Sequence, residues 1–139
     1  MLFRSVIYAG LSTRSNQNGI DQLRNIVADY GYSVTIVETT KCLHLKSAVS
    51  VVAPGTLLIN PDLISKSAFA DYELIDVDKD EAHAANALLV AQSLIYSSSY
   101  PRTMEKLLAR DIVVVPVNVS EVQKAEGAVT CCSLVFTTP

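Results

Sequence analysis

The sequence predicts an α/β protein assembled from repeated strand, strand, helix, strand (ββαβ) units. Its apolar runs are short and rich in Val, Ile, Leu and Tyr, and their order repeats along the chain. One unit extends from about residue 47 to 77, a second from about 87 to 117, and residues 5–37 give the same unit lacking its first strand. Such units can lie around a common axis or join one open α/β sheet, and the pattern fits both arrangements. No linker separates the units, so residues 1–139 are expected to form a single domain.

The first unit begins with a short apolar run, Ser5–Ala9, which predicts a buried strand. Asn18–Tyr30 has apolar residues at helical spacing, and Gly31 marks the expected end of that helix. The apolar positions are Ile20, Leu23, Ile26 and Val27. Tyr32–Val37 alternates and is rich in β-branched residues, which predicts a strand. Residues 39–46 lack periodicity and are interpreted as a loop.

The second unit contains a hairpin. Strands are predicted at Ser47–Ala53 and Thr56–Ile59, and the Pro-Gly pair between them is a turn signal. Pro61 is suited to the first turn of a short helix. Tyr72–Val77 is the strand that completes the unit.

The third unit repeats this order. Ala87–Ala91 and Ser93–Tyr96 predict a hairpin with Gln92 near its turn. Pro101–Arg110 has its larger apolar residues on one side and predicts a helix, and Ile112–Val117 predicts the following strand.

The composition favours a folded domain and argues against nucleic-acid binding. The 139 residues are 50% hydrophobic and 18% charged, the formal net charge is −3, and the basic residues are scattered rather than clustered. The apolar run within Met1–Gly10 is too short for a secretory signal, and no segment approaches the ~20 apolar residues of a membrane span. We therefore expect a cytoplasmic protein without membrane or nucleic-acid partners.

The three cysteines form neither a disulfide framework nor a zinc-binding pattern, so we expect free thiols and no metal. Cys131 lies between a helical turn at Ser120–Lys124 and a final apolar strand at Leu134–Phe136. A loop that enters a strand is a common place for a catalytic side chain, and a thiolate is a strong nucleophile. Spacing alone favours the alternative that Cys131 and Cys132 are small core residues.

Two histidines could serve as the general acid and base that such a cysteine needs. His44 precedes a predicted strand, much as Cys131 does, which makes it the better candidate. His83 lies in a segment that resembles an exposed helical turn and is interpreted as a solvated surface residue.

Several motifs together resemble the dimethylarginine dimethylaminohydrolase family of guanidine-modifying enzymes. They are Leu-His-Leu-Lys-Ser at residues 43–47, Gly-Ala-Val-Thr-Cys-Cys-Ser at 127–133, Gly-Leu-Ser-Thr-Arg-Ser-Asn-Gln at 10–17, Ala-Ala-Asn at 84–86 and Tyr-Pro-Arg at 100–102. The match runs in order along nearly the whole chain. It implies a five-bladed α/β-propeller, a pentein-like fold, of which this chain would form roughly half.

The resemblance also implies residue roles. Cys131 matches the nucleophile that attacks the guanidinium carbon, and His44 matches the general acid/base. Arg14 matches an arginine that pairs with the substrate α-carboxylate, and Ala125 matches a position whose backbone carbonyl contacts the substrate amino group. The implied reaction converts methylated arginine to citrulline and an alkylamine through a covalent thiouronium on Cys131, without a cofactor.

The resemblance further implies that half of the site lies outside this sequence. Family members are nearly twice as long, and this chain matches their C-terminal half, whereas the acidic residues that bind the guanidinium lie in the other half. The acidic run formed by Asp76, Asp78, Asp80 and Glu81 is interpreted as a solvated loop. We therefore expect a homo-oligomer or a missing N-terminal half, and little activity from the isolated chain.

Two alternatives remain open. The chain could belong to a related arginine deiminase or amidinotransferase, although the motif at residues 43–47 and the adjacent Cys131 and Cys132 favour the hydrolase. It could also be a noncatalytic truncated remnant that folds by self-association.

Overall fold

The computed structural model of the protein describes residues 2–3 and 5–136, and within them the chain forms three small sheets of three strands each. In every sheet the first two strands pair antiparallel and the last two pair parallel. A helix connects each parallel pair, as such a pair requires a crossover. The mixed α/β fold of repeated units is therefore confirmed.

The first sheet includes a strand that the sequence did not predict. Its elements are β1 (Leu2–Phe3), β2 (Val6–Leu11), α1 (Gln17–Ala28) and β3 (Ser33–Glu38). The prediction that this unit lacks its first strand is wrong, because β1 pairs with β2. Two residues are too few to produce an alternating pattern that a sequence could reveal.

The second sheet differs from the prediction in its helix. Its elements are β4 (Val49–Ala53), β5 (Thr56–Ile59), a 3₁₀ helix (Lys66–Phe69) and β6 (Glu73–Asp76). The predicted helix at Pro61 is wrong, since residues 61–63 form a turn. The 3₁₀ helix begins later, where the Ser65 hydroxyl accepts a hydrogen bond from the Ser67 amide.

The third sheet matches the prediction, whereas the strand predicted at Leu134–Phe136 is not found among the described residues. Its elements are β7 (Ala87–Val90), β8 (Ser93–Ser97), α2 (Pro101–Leu108) and β9 (Val113–Val117), and α3 (Ser120–Lys124) follows. The strand predicted at Leu134–Phe136 is wrong, because these residues are exposed and pair with no strand in the described part of the chain. An extended apolar segment becomes a strand only where a neighbour takes up its backbone hydrogen bonds.

Helices α1 and α2 end in the same hydrogen-bonded motif, in which an amide reaches back five residues to a helix carbonyl. The bonds are Tyr32 to Val27 (3.2 Å) and Ile112 to Leu107 (3.3 Å). The residue before this amide has a positive φ, 75° at Gly31 and 57° at Asp111. The repeat therefore extends to the backbone geometry of the helix ends.

The middle sheet is buried on both faces, since alternate residues of β5 enter two different core clusters. Leu57 and Ile59 pack with residues of the first sheet, while Leu58 packs with residues of the third. The larger partners are Tyr8, Val37 and Phe69 on one side and Leu94, Tyr96 and Leu107 on the other. Among the described helices, none combines the length and the apolar character that crossing a membrane requires.

Candidate active site

His44 lies at the start of a short 3₁₀ helix, Leu45–Ser47, which precedes β4. Its backbone is extended, and its carbonyl accepts a hydrogen bond from the Ser47 amide at 2.9 Å. The neighbouring Leu45 is buried in the core, whereas His44 itself is exposed. Burial of Leu45 therefore anchors the segment and leaves the imidazole accessible to a ligand.

Cys131 lies in a tight turn after α3, and its sulfur contacts the turn's own backbone. The Ala128 amide donates to Sγ at 2.9 Å, and the thiol donates to the Ala128 carbonyl at 3.3 Å. The preceding Val129 is buried, while Cys131 is exposed. The arrangement presents the sulfur to solvent and places a backbone donor where it can interact with negative charge on the sulfur.

The turn depends on Gly127. A Cβ atom at this position would lie 2.5 Å from Val122 Cγ1 and 3.0 Å from the Val122 carbonyl oxygen. Because real Cβ atoms do not approach other atoms so closely, only glycine lets the chain pass α3 at this point.

A buried asparagine links the segments that carry His44 and Cys131. Asn86 Nδ2 donates to the Lys46 carbonyl at 3.1 Å and to Thr130 Oγ1 at 2.8 Å. Its Oδ1 accepts from the Thr130 amide at 3.1 Å. Asn86 was noted in the sequence only as part of the Ala-Ala-Asn motif, because no local pattern shows contacts with residues 40 and 44 positions away.

Arg14 lies in the exposed loop that joins β2 to α1. Its amide donates to Ser12 Oγ at 3.1 Å, and its side chain lines a cavity of about 410 Å³ beside the N-terminus of α1. Asn16 caps that helix by accepting a hydrogen bond from the Gly19 amide at 2.9 Å. Arg14 thus lies close to the N-terminus of α1, and the N-terminus of a helix favours anionic groups.

Gly10 brings the strand before the Arg14 loop close to the His44 segment. A Cβ atom at Gly10 would meet Leu45 Cβ at 3.2 Å, so glycine allows the two backbones to approach. The structure therefore gathers the Arg14, His44 and Cys131 segments through Gly10 and Asn86. In residues 5–136, no hydrogen bond or ion pair directly joins these three side chains to one another.

Ala125 follows the last turn of α3 and is exposed. Its amide donates to the Val122 carbonyl at 3.1 Å, and the next residue, Glu126, has a positive φ of 58°. The chain reverses here before it enters the Cys131 turn. Ala125 and Cys131 consequently belong to one compact loop.

A cavity of about 620 Å³ borders this loop, and its lining includes residues near both candidate catalytic groups. Ser47, Asn86 and Ala128 contribute to it, together with Glu126 and His83. His83 is exposed, as expected, but its position on this cavity was not predicted. Among the described residues, no group of three or more His, Cys, Asp and Glu side chains could hold a metal ion.

The other cysteines differ from Cys131 in their surroundings. Cys42 packs against the core between the first two sheets, and burial raises the pKa of its thiol. It is therefore neutral at physiological pH, in agreement with a structural role. Cys132 is exposed, and its amide donates to the Ala128 carbonyl at 3.3 Å.

The acidic run between the second and third sheets forms ion pairs with α2. Asp80 and Asp78 pair with Arg102, and Asp78 also pairs with Lys106 at 3.4 Å. The prediction of a solvated loop is wrong for part of this run. Asp76 lies in β6, where its Oδ1 is buried, and the Asp78 side chain is only 20% exposed. Glu81 accepts hydrogen bonds from two amides of α2, and Asp80 is the more exposed member. The ion pairs between this acidic run and α2 were not predicted, because Asp78 and Arg102 are far apart in the sequence.

Comparison with solved structures first identifies a shared fold. Inosamine-phosphate amidinotransferase from Streptomyces griseus superposes with a TM-score of 0.82 at 18% identity, over 93% of this chain and 42% of that one. At this identity the likeness shows a common fold. The chain therefore has the fold found in amidinotransferases.

Sequence comparison then identifies similar proteins of one enzyme family. The chain is 35% identical over 98% of its length to dimethylarginine dimethylaminohydrolase from Pseudomonas aeruginosa, and 34% identical over 92% to the enzyme from Streptomyces coelicolor. It covers 54% and 49% of these proteins, so it spans about half the length of the curated relatives it matches. No protein-family model matches the sequence. The resemblance to the dimethylarginine dimethylaminohydrolase family is thus confirmed.

Structures of that enzyme agree with this relationship. A cysteine-to-serine variant of the Pseudomonas aeruginosa enzyme in complex with citrulline superposes with a TM-score of 0.85 at 33% identity, over 91% of this chain and 50% of that one. A histidine-to-glycine variant that forms an adduct with S-methyl-L-thiocitrulline gives a TM-score of 0.90 at 34% identity, over 98% of this chain and 54% of that one.

Proposed function

We propose that this chain is the C-terminal part of a cysteine hydrolase that converts methylated arginine to citrulline and an alkylamine. The observation that carries the proposal is the convergence of the His44 and Cys131 segments on Asn86. The two segments also carry the motifs that resemble the family. The citrulline complex of a relative gives independent support for a guanidine-derived ligand.

In the proposed mechanism, Cys131 Sγ attacks the guanidinium carbon as a thiolate. His44 donates a proton to the departing alkylamine, and the carbon–nitrogen bond breaks to leave a thiouronium on Cys131. His44 then takes a proton from an incoming water, whose oxygen adds to the same carbon. The carbon–sulfur bond breaks with its electron pair passing to Cys131 Sγ, the added hydroxyl loses its proton to solvent, and citrulline leaves with a neutral ureido group.

Arg14 and Ala125 are proposed to orient the amino-acid end of the substrate. Arg14 can form two parallel hydrogen bonds with the α-carboxylate, and the helix N-terminus beside it favours the same negative charge. The Ala125 carbonyl would accept a hydrogen bond from the α-amino group. The substrate would then extend from the Arg14 loop toward Cys131.

We further propose that the three sheets form part of a five-bladed α/β-propeller, and that a second polypeptide surface completes it. β9 is an edge strand with Val113 and Val115 exposed, and Leu134 and Phe136 are also largely exposed. Unpaired edges and exposed apolar groups favour association. The proposed partner is either another copy of this chain or a polypeptide equivalent to the N-terminal half of the relatives. Light scattering at increasing concentration tests for self-association.

The compartment is proposed to be the cytoplasm, where the three free cysteines would stay reduced.

The test of the proposed chemistry is labelling of a His44→Gly variant with S-methyl-L-thiocitrulline, followed by mass spectrometry of the peptides. Without His44 the thiouronium on Cys131 is not hydrolysed and should accumulate, as in the adduct of the histidine-to-glycine variant of the relative. An adduct on Cys131 that is lost in Cys131→Ala and retained in Cys132→Ala supports the proposal. Labelling of Cys132 instead, or equal labelling of both, would contradict it. Turnover of methylated arginine at a rate typical of hydrolases, by a preparation that light scattering shows to be monomeric, would show that no second polypeptide is needed.

The second candidate is an arginine deiminase or amidinotransferase, and the fold shared with amidinotransferases favours retaining it. Product analysis separates the candidates: an alkylamine indicates the hydrolase, ammonia from arginine the deiminase, and a transferred amidino group the transferase. A noncatalytic remnant that self-associates would give none of these products and no selective labelling of Cys131.

A further inference from the structure

The backbone around Asn86 is fixed by contacts that involve neither the His44 segment nor the Cys131 segment. The flanking residues Ala84, Ala85 and Ala87 are buried in the core between the second and third sheets. The Ala84 carbonyl accepts a hydrogen bond from the Tyr96 hydroxyl at 2.7 Å, and the Ala87 amide donates to Ser50 Oγ at 3.2 Å. The Asn86 backbone is therefore fixed to a rigid part of the protein.

The three hydrogen bonds of the Asn86 amide require its particular chemistry. The Lys46 carbonyl can only accept, and the Thr130 amide can only donate, so the side chain must offer both a donor and an acceptor. Aspartate has the right size but lacks the N–H groups, and alanine lacks both functions. The residue is only 8% exposed, so water competes little for these bonds.

Each bond reaches a residue close to a proposed catalytic group. Lys46 is two residues after His44, in the 3₁₀ helix whose first carbonyl belongs to His44. Thr130 is bonded through both its amide and its hydroxyl, and it immediately precedes Cys131. One side chain thus connects two segments that are otherwise distant in sequence.

We propose that Asn86 is a positioning residue that holds the His44 and Cys131 segments at a fixed separation. It touches neither reacting atom in this role and acts through Lys46 and Thr130. The inference rests on the proposed function, because it assumes that His44 and Cys131 act together. Loss of the Asn86 side chain would leave His44 and Cys131 in the protein, but their segments would no longer be held at a fixed separation.

The test is a double-mutant cycle on the reactivity of Cys131, which does not depend on turnover. The rate of alkylation by iodoacetamide at neutral pH is measured on the Cys131 peptide by mass spectrometry, so that Cys42 and Cys132 are counted separately. His44→Ala is expected to slow this rate about tenfold in the native background, and less than about twofold in the Asn86→Ala background.

Asn60 provides a matched control. It is also buried, and its side chain donates to the Ala82 carbonyl at 2.7 Å and accepts from the Asp62 amide at 2.9 Å. Its backbone amide donates to the Ala48 carbonyl, a bond that Asn60→Ala retains, so the substitution removes no hydrogen bond to either site segment. Asn60→Ala should leave the effect of His44→Ala unchanged. If Asn86→Ala does not fold by circular dichroism, Asn86→Asp replaces it, because it keeps the acceptor for the Thr130 amide and loses both donors.

The outcomes separate the two proposals. An equal effect of His44→Ala in the native and Asn86-substituted backgrounds would overturn the positioning role and leave the proposed function intact. If Asn60→Ala reduces the effect of His44→Ala as much as Asn86→Ala does, the positioning role would also be overturned. A general destabilisation of the fold would then explain the result. No effect of His44→Ala in the native chain would refute the catalytic pair itself, and the inference about Asn86 with it.

Discussion

The carboxylate of Glu81 accepts a hydrogen bond from the Thr103 amide at 2.8 Å. Glu81 therefore caps α2, a helix that is distant from it in the sequence. Its second oxygen accepts from the Arg102 amide at 3.0 Å. Tyr100, which occupies the N-cap position of α2, makes no side-chain capping hydrogen bond. Glu81 therefore supplies from another segment the cap that a local Ser, Thr, Asp or Asn usually provides.

Replacing this cap should destabilise the protein. Glu81→Ala leaves two amides of the first turn of α2 without their acceptor, and we expect a loss of about 1 kcal/mol in the free energy of unfolding. Urea unfolding followed by tyrosine fluorescence measures this loss. Glu105→Ala, an exposed change within the same helix, is the control and should alter stability by less than about 0.5 kcal/mol. A loss as large in the control would refute the capping role.

Stability should decrease in acid through Asp78 and Asp80. The Asp80 amide, followed by Lys106 and Arg102, lowers the pKa of Asp78 below its ordinary value of 3.8. Lys79 and then Arg102 lower the pKa of Asp80 in the same way. Because the folded-state pKa is the lower one, the stabilisation is present above pH 3.8 and is lost as the pH falls through the folded-state values.

This pH dependence is measurable as the free energy of unfolding between pH 7 and pH 3. Asp78→Asn should flatten the acid limb of the curve, because an amide does not titrate. High salt should also reduce the dependence, since the charges are exposed. An unchanged acid limb in Asp78→Asn would show that other carboxylates dominate.

Gly127→Ala should damage the Cys131 turn, because the added methyl group would lie 2.5 Å from Val122 Cγ1. We expect destabilisation of roughly 1–3 kcal/mol and a changed alkylation rate of Cys131. Gly19→Ala is the matched control, since its Cβ would meet nothing closer than 3.5 Å, within α1. That substitution should stabilise the helix by about 0.5–1 kcal/mol. Equal effects at both glycines would contradict the steric argument.

Asp111→Gly should stabilise the protein. Asp111 has a φ of 57°, a conformation that glycine adopts without strain, and the equivalent position after α1 is already Gly31. We expect a gain of roughly 0.5–1 kcal/mol in thermal or urea unfolding. The reverse change, Gly31→Ala, should cost a similar amount. Destabilisation by Asp111→Gly would indicate that its carboxylate contributes more than the backbone strain costs.

Much of the fold was predictable because its elements are locally encoded. Alternating β-branched residues identify β3, the helical spacing of Ile20 and Leu23 identifies α1, and the repeated order identifies the units. The wrong predictions of secondary structure concern segments whose local sequence pattern carries little information. β1 is too short to show alternation, and Leu134–Phe136 has the composition of a strand but no neighbouring strand in the described residues.

The candidate site was predictable only in part. The motifs around His44 and Cys131 are contiguous in sequence, so a resemblance can identify them. Asn86 was not identified as their link, nor Glu81 as the cap of α2. Both roles depend on contacts between residues far apart in the chain, and such contacts exist only after the sheets have packed.

By itself, then, the sequence determined which segments become strands and helices, and which residues resemble a guanidine-modifying family. These properties follow from side-chain periodicity and from short contiguous motifs. Only the tertiary structure decided that the His44 and Cys131 segments meet at Asn86. The physical reason is that a buried amide needs complementary donors and acceptors, and here they come from segments 40 and 44 residues away.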